Sequence, residues 1–519
     1  MSALTAVSLQ ERAYEMARQE FEHIIEHLDS KEAGAMTHSE LERELEKKGR
    51  DLMRKLLQEH LNNRSPGQCD RPVCGADGVE RTRVRSHERT LETVFGTVSV
   101  NRSGYGQQGV DSLHPLDAEL NLPDEKYSLE LRHRAAEEAA KSSFDETKQS
   151  ISKYSGGHVA KRQLEELVAR AAQDFDDFYE TRHSAAAANE DAGSVLVASV
   201  DGKGVVMRTE DLREQTRKAA EARTHKMGKR LSKGEKKNAK RMATVATVYT
   251  VAPFVRTPED VMAEADCTLS RKPRPRPEHK RVWASLEKEP DQVIGQALEE
   301  AFYRDPSGEK NWVALVDGNK PQIRYFKRRA KENDIDLTLI IDIVHVIEYL
   351  WKAGRVFEPE SGPELQGWVR HRILEVLRGK AGLVAGGMRR SATLRKLSDK
   401  QREPVDTCAN YLLTYSPYLR YNDYLAKGLP IATGVIEGAC RHLVKDRMDV
   451  TGARWGLTGA EAVLRLRALR SSVDFDEYWA FHEAREYERN HQALYAGGQA
   501  PPTNARFSSD KPAHLKVIK

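Results

Sequence analysis

Three carboxylates sit in stretches that otherwise read as buried. Leu196–Val205, LVASVDGKGV, is an apolar run ending on Asp201, with glycines on either side of Lys203. Trp312–Gly318, WVALVDG, is a second apolar run ending on Asp317. Pro430–Leu443, PIATGVIEGACRHL, reads as a helix and carries Glu437. A carboxylate is costly to bury unless it is paired or holds a cation. Mg²⁺ prefers hard oxygen ligands and keeps several waters, so a few carboxylates with open positions suit it. Two such ions ~4 Å apart activate a nucleophile and stabilise the leaving oxygen of a phosphodiester. The expectation is two Mg²⁺ (or Mn²⁺) ions bridged by Asp201, with Asp317 and Glu437 each completing one side. Water then cuts a DNA strand, and the freed 3′-hydroxyl attacks a new phosphodiester.

Other residues suggest supporting roles, each with a plainer alternative. Asp342 and His345 form D-x-x-H at the end of LTLIIDIVHV. His345 either contacts the scissile phosphate and moves a proton, or is a buried histidine hydrogen-bonded to Asp342. Glu437, Arg441 and Lys445 share one face of a helix. The two cations either hold phosphates of the scissile strand or make an ordinary ion pair. Trp455, in GARWG, either stacks on a displaced base or fills the core. The net charge of the chain is only +4, but Lys203–Arg241 holds 14 Lys/Arg against 5 Asp/Glu, a local excess of 14 − 5 = +9. Within it Lys229, Arg230, Lys236 and Lys237 are candidates to grip DNA phosphates; the alternative is a solvated loop. Cys69 and Cys74, in CDRPVCG, supply half of a tetrahedral zinc site, and no second pair follows nearby. Zinc is therefore doubtful against two ordinary thiols.

The elements that must position these groups follow from pattern. The order is strand with Asp201, a β-branched stretch at Met242–Val255 that should pair with it, helix, strand with Asp317, strand Leu337–Val346, helical insert, and helix with Glu437. This is an α/β multidomain chain with a ribonuclease-H-like layout: a mixed sheet flanked by helices, with a helical insertion. The core is expected at 194–351 and 429–475, with the insertion at 352–428. Upstream, 1–64 reads as an N-terminal helical arm, opened in part by the capping box Thr37-x-x-Glu40. It suits either a dimerising coil or a hairpin packed on its own domain. Residues 65–125 form a small β-hairpin module turning near Gly96, a degenerate zinc module in outline. In 126–185, a helix, a Ser155-Gly156-Gly157 break and a helix starting with Lys161 and Arg162 follow the helix-turn-helix order, as any helical hairpin would. These two cations are candidate DNA contacts. Residues 476–519 read as a C-terminal helix and, after about 497, a disordered tail.

Composition narrows the class. The chain has 519 residues, enough for several domains, and five scattered cysteines, too few for a disulfide framework. No apolar run approaches the ~20 residues needed to span a bilayer, and the N-terminus lacks a signal pattern. A cytoplasmic, nucleoid-associated bacterial protein is expected. H-E-x-x-H is absent, which disfavours a metalloprotease.

VDGKG (200–204), LVDG (315–318), DIVHVIEYLWKAG (342–354) and ATGVIEGACRHLVKDRMDVTGARWG (432–456) resemble the ISKra family of insertion-sequence DDE transposases. FGTVSV (95–100) and PLDAELNLP (115–123) extend the resemblance, which runs from about 90 to 470. It implies a ribonuclease-H-like catalytic core with an insertion before the glutamate, and metal-dependent strand transfer at the element's own terminal inverted repeats. Residue by residue it implies Asp201, Asp317 and Glu437 as the catalytic triad. Asp342–His345 is similar to the D-x-x-H signature of Mutator-like transposases. Relatives often follow the hairpin with Tyr-x-Cys-x-x-Cys; here that place reads Tyr105-Gly106-Gln107-Gln108-Gly109. The expected function is an insertion-sequence transposase acting on inverted repeats and target DNA, at least dimeric when paired ends are held. The alternatives are a structure-selective nuclease on the same core and a domesticated, non-catalytic DNA-binding protein.

Overall fold

The computed structural model describes residues 14–185, 194–222, 239–265, 273–358, 362–432 and 434–504. The chain divides into two compact units, residues 1–174 with 476–519, and residues 175–475.

The first unit opens with α1 (Glu15–Leu28), α2 (Lys31–Ala35) and α3 (His38–Asn62), whose Thr37–Glu40 capping box forms as expected. Glu59 on α3 accepts the N–H groups of Met16 and Ala17 at 3.1 and 2.9 Å. Gln58 exchanges two hydrogen bonds with the backbone of Ser99. The N-terminal helices are thus a hairpin packed on their own unit, the plainer of the two expectations. A short ribbon, β1 (Val73–Cys74) with β2 (Glu80–Arg81), precedes the predicted hairpin of β3 (Arg83–Thr93) and β4 (Gly96–Gln107), which β5 (Val110–Leu113) extends. Gly96 closes the turn at φ +123°, a conformation that glycine adopts at no steric cost. After α4 (Pro115–Glu119) come α5 (Leu129–Lys141), α6 (Phe144–Tyr154) and α7 (Lys161–Ala171). Leu131, Ile151, Leu164 and Leu167 share one core with Val94 and Tyr127.

The second unit starts with α8 (Phe175–Ser184) and is built on a five-stranded mixed sheet. In chain order its elements are β6 (Val195–Val206), α9 (Glu214–Glu221), β7 (Lys240–Val251), α10 (Pro258–Ala265), β8 (Glu278–Ser285), α11 (Pro290–Arg304), β9 (Asn311–Val316), α12 (Lys320–Glu332) and β10 (Leu337–Ile341). The spatial order is β10-β9-β6-β7-β8. β6, β7 and β8 pair antiparallel, and β9 and β10 run parallel to β6. Val195–Val200 and Trp312–Val316 are buried without alternation, the mark of strands covered on both faces. The predicted partnership of the Asp201 strand with the β-branched stretch is β6 with β7.

One predicted strand is cut short. LTLIIDIVHV is strand only to Ile341; Asp342 then caps α13 (Ile343–Phe357), its carboxylate accepting the Val344 N–H at 2.8 Å. An apolar run by itself does not separate strand from buried helix, and an aspartate is among the best N-caps. The insertion is helical as expected: α14 (Pro363–Leu377), α15 (Ala381–Leu394), α16 (Asp399–Thr414) and α17 (Tyr421–Ala426). Glu437 lies on α18 (Gly434–Ala439), which runs into a π-helical turn at Cys440–Lys445; α19 (Leu457–Ser472) follows.

The last helix, α20 (Phe475–Asn490), returns to the first unit. The tail is a correction up to residue 504. Tyr495 is 3 % exposed and bridges to Gly75, and the Asn504 N–H donates to the Gln68 carbonyl at 2.7 Å. Buried Tyr495 anchors the chain just before the stretch whose composition reads as disorder, and hydrogen bonds of Asn504 to Gln68 and Asp70 tie its far end. Residues 505–519 lie outside the described residues. No helix among the described residues is long and apolar enough to cross a membrane.

Candidate functional site

Strand register brings two of the three acids together. β6 and β9 pair in parallel up to Ser199↔Leu315, and 315 − 199 = 317 − 201 = 116, so Asp201 and Asp317 follow at the same level. Neighbouring strands lie ~4.8 Å apart. β10 pairs with β9 up to Ile341↔Val316, so Asp342 stands level with Asp317 just past the end of β10. Three aspartates thus form a row where β9 and β10 end, the edge at which open α/β sheets place their sites.

Asp201 is half-buried; its carboxylate accepts the Gly202 N–H at 2.6 Å and the Cys440 thiol at 3.3 Å. Asp317 accepts the Asn319 N–H at 2.8 Å. Burial pushes the Asp317 carboxyl above its ordinary range; the Asn319 N–H opposes this, the Asp201 charge adds to it, and His345 opposes it. Glu437 is exposed on α18, which packs on β6 and β7. Burial drives the Cys440 thiol up, with the Asp201 charge next and that of Glu437 also contributing.

The ligand oxygens of Asp201, Asp317 and Glu437 do not all fall within 4.8 Å of one another; among the described residues that holds for Asp174, His482 and Glu486, in the first unit. That second cluster already holds a cation. Arg132, fully buried, donates to Glu486 at 2.7 Å and to His482 Nε2 at 3.0 Å, while Arg489 pairs with Asp174 at 3.0 Å. His482 Nδ1 lies 2.7 Å from Asp174. Nε2 accepts from a guanidinium, so Nδ1 carries the proton and donates to Asp174. A guanidinium stands where an ion would sit, and the cluster is an ion-pair network.

The other sequence candidates fall as follows. His345 is not the buried partner of Asp342. Its Nδ1 is 3.9 Å from that carboxylate, which instead caps α13, and its side chain is 35 % exposed. Nδ1 itself has no hydrogen-bond partner. Trp455 is a core residue, 6 % exposed, with its indole N–H donated to Met448 at 3.0 Å and Arg447 over the ring; base stacking is withdrawn. The shared face of Glu437, Arg441 and Lys445 does not survive the π turn, which breaks the 3.6-residue period. Arg441 is 71 % exposed and 3.8 Å from Asp446, whereas Lys445 lines a cavity on β6. Lys161 pairs with Asp145 at 2.7 Å and Arg162, 90 % exposed, with Glu166 at 3.4 Å. Lys229, Arg230, Lys236 and Lys237 lie outside the described residues. Cys69 and Cys74 are free thiols, and no third ligand group gathers with them among the described residues. Burial pushes the Cys69 thiol up.

Four tyrosines of the insertion went unread in the sequence. Tyr411 donates its hydroxyl to the Asp317 carbonyl at 3.0 Å, and Tyr415 donates to the Gly318 carbonyl. Tyr421 donates to Ile341 at 2.8 Å and Tyr424 to Leu339 at 3.4 Å. α16 and α17 therefore clamp the ends of the two strands that lead to Asp317 and Asp342. Gly318 sits at φ +93°, and a Cβ there would lie 2.8 Å from the Tyr411 hydroxyl. Compared with known proteins, the chain matches no protein-family model and no curated protein.

Proposed function

We propose that the chain is an insertion-sequence transposase, cleaving and joining DNA at terminal inverted repeats through Asp201, Asp317 and Glu437. The observation that carries this reading is the level placement of Asp201 and Asp317 on adjacent parallel strands, with Glu437 on a helix packed against the same strand. The sheet supports a ribonuclease-H-like core. Its first three strands are antiparallel and its last two parallel, with acids on the first and fourth strands and on a later helix. The resemblance to ISKra-type transposases points the same way.

The donor set fits Mg²⁺ or Mn²⁺. All its ligands are oxygens, and burial, with the Asp201 charge beside it, disfavours the ionised form of Asp317 that a bound cation would favour. Asp201, Asp317 and Glu437 would hold the ions, which would supply an activated nucleophile and charge neutralisation at the leaving oxygen. The chain's own residues do the positioning. The tyrosine clamp fixes the backbone from which Asp317 projects. His345, part-exposed beside Asp317, is available to a phosphate oxygen or a proton. Two DNA ends held together require at least a dimer on DNA.

Labelled DNA carrying the element's ends, incubated with the protein in Mg²⁺, Mn²⁺ or EDTA, tests this. Metal-dependent cleavage and a joined product, both lost in Asp201→Asn, are expected. Cleavage without joining favours a nuclease, and binding without cleavage under any metal favours a domesticated DNA-binding protein.

A further inference from the structure

A cavity of about 190 Å³ opens on the strand that carries Asp201. Lys203, Lys240 and Lys445 line it, with Asp449 as its single acidic member. Among the described residues none of the three lysines has an ion-pair partner. Three lysines around so small a space gather positive charge there, and one exposed carboxylate offsets only part of it.

Each lysine is brought there by a specific feature. Lys203 follows Asp201 by two residues on β6, so it shares that face about 6.7 Å further along. It also acts electrostatically on the Cys440 thiol that touches Asp201. Lys240 opens β7 opposite Val206, and Gly204 leaves room for its stem. A Cβ on Gly204 would lie 2.8 Å from Lys240 Cδ and 3.3 Å from its Cβ. Lys445 closes the π turn, which packs on β6. Such turns recur at functional sites. A solvated charged surface requires neither the glycine nor the π turn.

We propose that this cavity seats a backbone phosphate of the DNA strand, one step along from the phosphodiester held at Asp201. An ammonium is a compact point charge that binds phosphate without demanding a fixed fork geometry. Lys203 lies two residues beyond Asp201 on the same face of β6, so the seat continues the path of a strand held at Asp201. The identity of that strand rests on the transposase reading; the anion seat itself does not.

The test is fluorescence anisotropy of a fluorescein-labelled DNA duplex in EDTA over a series of KCl concentrations. The triple variant Lys203→Gln/Lys240→Gln/Lys445→Gln is compared with Lys396→Gln/Lys400→Gln/Lys427→Gln, which removes equal charge from exposed lysines of the insertion. One lost phosphate contact lowers the slope of log K against log[KCl] by about 1. That loss is expected in the first variant and not in the second. Gly204→Val, which keeps every charge but displaces the Lys240 stem, should weaken binding in the same direction, with an unchanged thermal melt. A wild-type slope in the first variant, or an equal fall in both, overturns the seat. No metal is present, so the result is independent of catalysis. If Asp201→Asn cleaves DNA as well as wild type in Mg²⁺, the transposase reading fails while the binding result stands.

Discussion

At the scale of single residues, the site depends on one turn. Gly318 combines a left-handed backbone with a hydroxyl 2.8 Å from where a side chain would begin. Gly318→Ala must strain the backbone or push Tyr411 away, at about 1–3 kcal/mol, and either response moves Asp317. The expected outcome is a lower melting temperature together with weaker Mn²⁺ binding by titration; an unchanged affinity would show that the turn does not position the acid. A second titratable feature lies in the first unit. Burial, then Arg102, His87 and Arg89, push His114 down to about 4, while the unfolded chain takes up its proton near 6.5. Below that pH the unfolded state binds more protons, so this contribution is complete above pH 6.5 and is lost as pH falls towards 4. Urea melts of His114→Gln should show a flatter decline over that window than wild type. The three acids were legible because a carboxylate inside an apolar run breaks a pattern. The tyrosine clamp was not, since Tyr411 and Asp317 are 94 positions apart and a hydroxyl-to-carbonyl bond leaves no periodicity.

At the scale of elements, pattern gave four of the five strands of the sheet and the helical insertion. It missed β8, whose start at Glu278 follows the proline-rich RKPRPRP, and it failed where one apolar run changes structure midway. Residues 337–346 split at Asp342 because its side chain serves the next helix. The π turn was also hidden, because Cys440–Lys445 has the composition of an ordinary helix. The insertion is more than an appendage, as its hydroxyls end on β9 and β10. Tyr421 is fully buried and bonds Ile341 at 2.8 Å. Tyr421→Phe removes that buried hydrogen bond and should cost about 1 kcal/mol. Guanidinium denaturation would read it as a lower midpoint with the same slope. An unchanged midpoint would mean the clamp adds nothing to the sheet.

At the scale of the whole molecule, the chain closes on itself in a way that local pattern cannot report. Arg132 meets His482 across 350 positions, and α20 with the residues after it completes the first unit. The helix there was expected, but its place in a core was not: the Arg132 network and the burial of Tyr495 put it there. Only the residues after about 497 read as a loose end, and the Asn504 N–H ties them to the Gln68 carbonyl. The central claim concerns the second unit, where Asp201, Asp317 and Glu437 come from two strands and a helix. Glu437 tests it most directly, because it is exposed, so Glu437→Gln should leave the fold intact. The measurement is single-turnover cleavage of labelled end DNA by Glu437→Gln in Mg²⁺, with DNA binding measured in parallel. The account predicts intact binding and a rate lowered by more than the roughly 10–100-fold that follows loss of an outer-shell partner. Cleavage at the wild-type rate would contradict it.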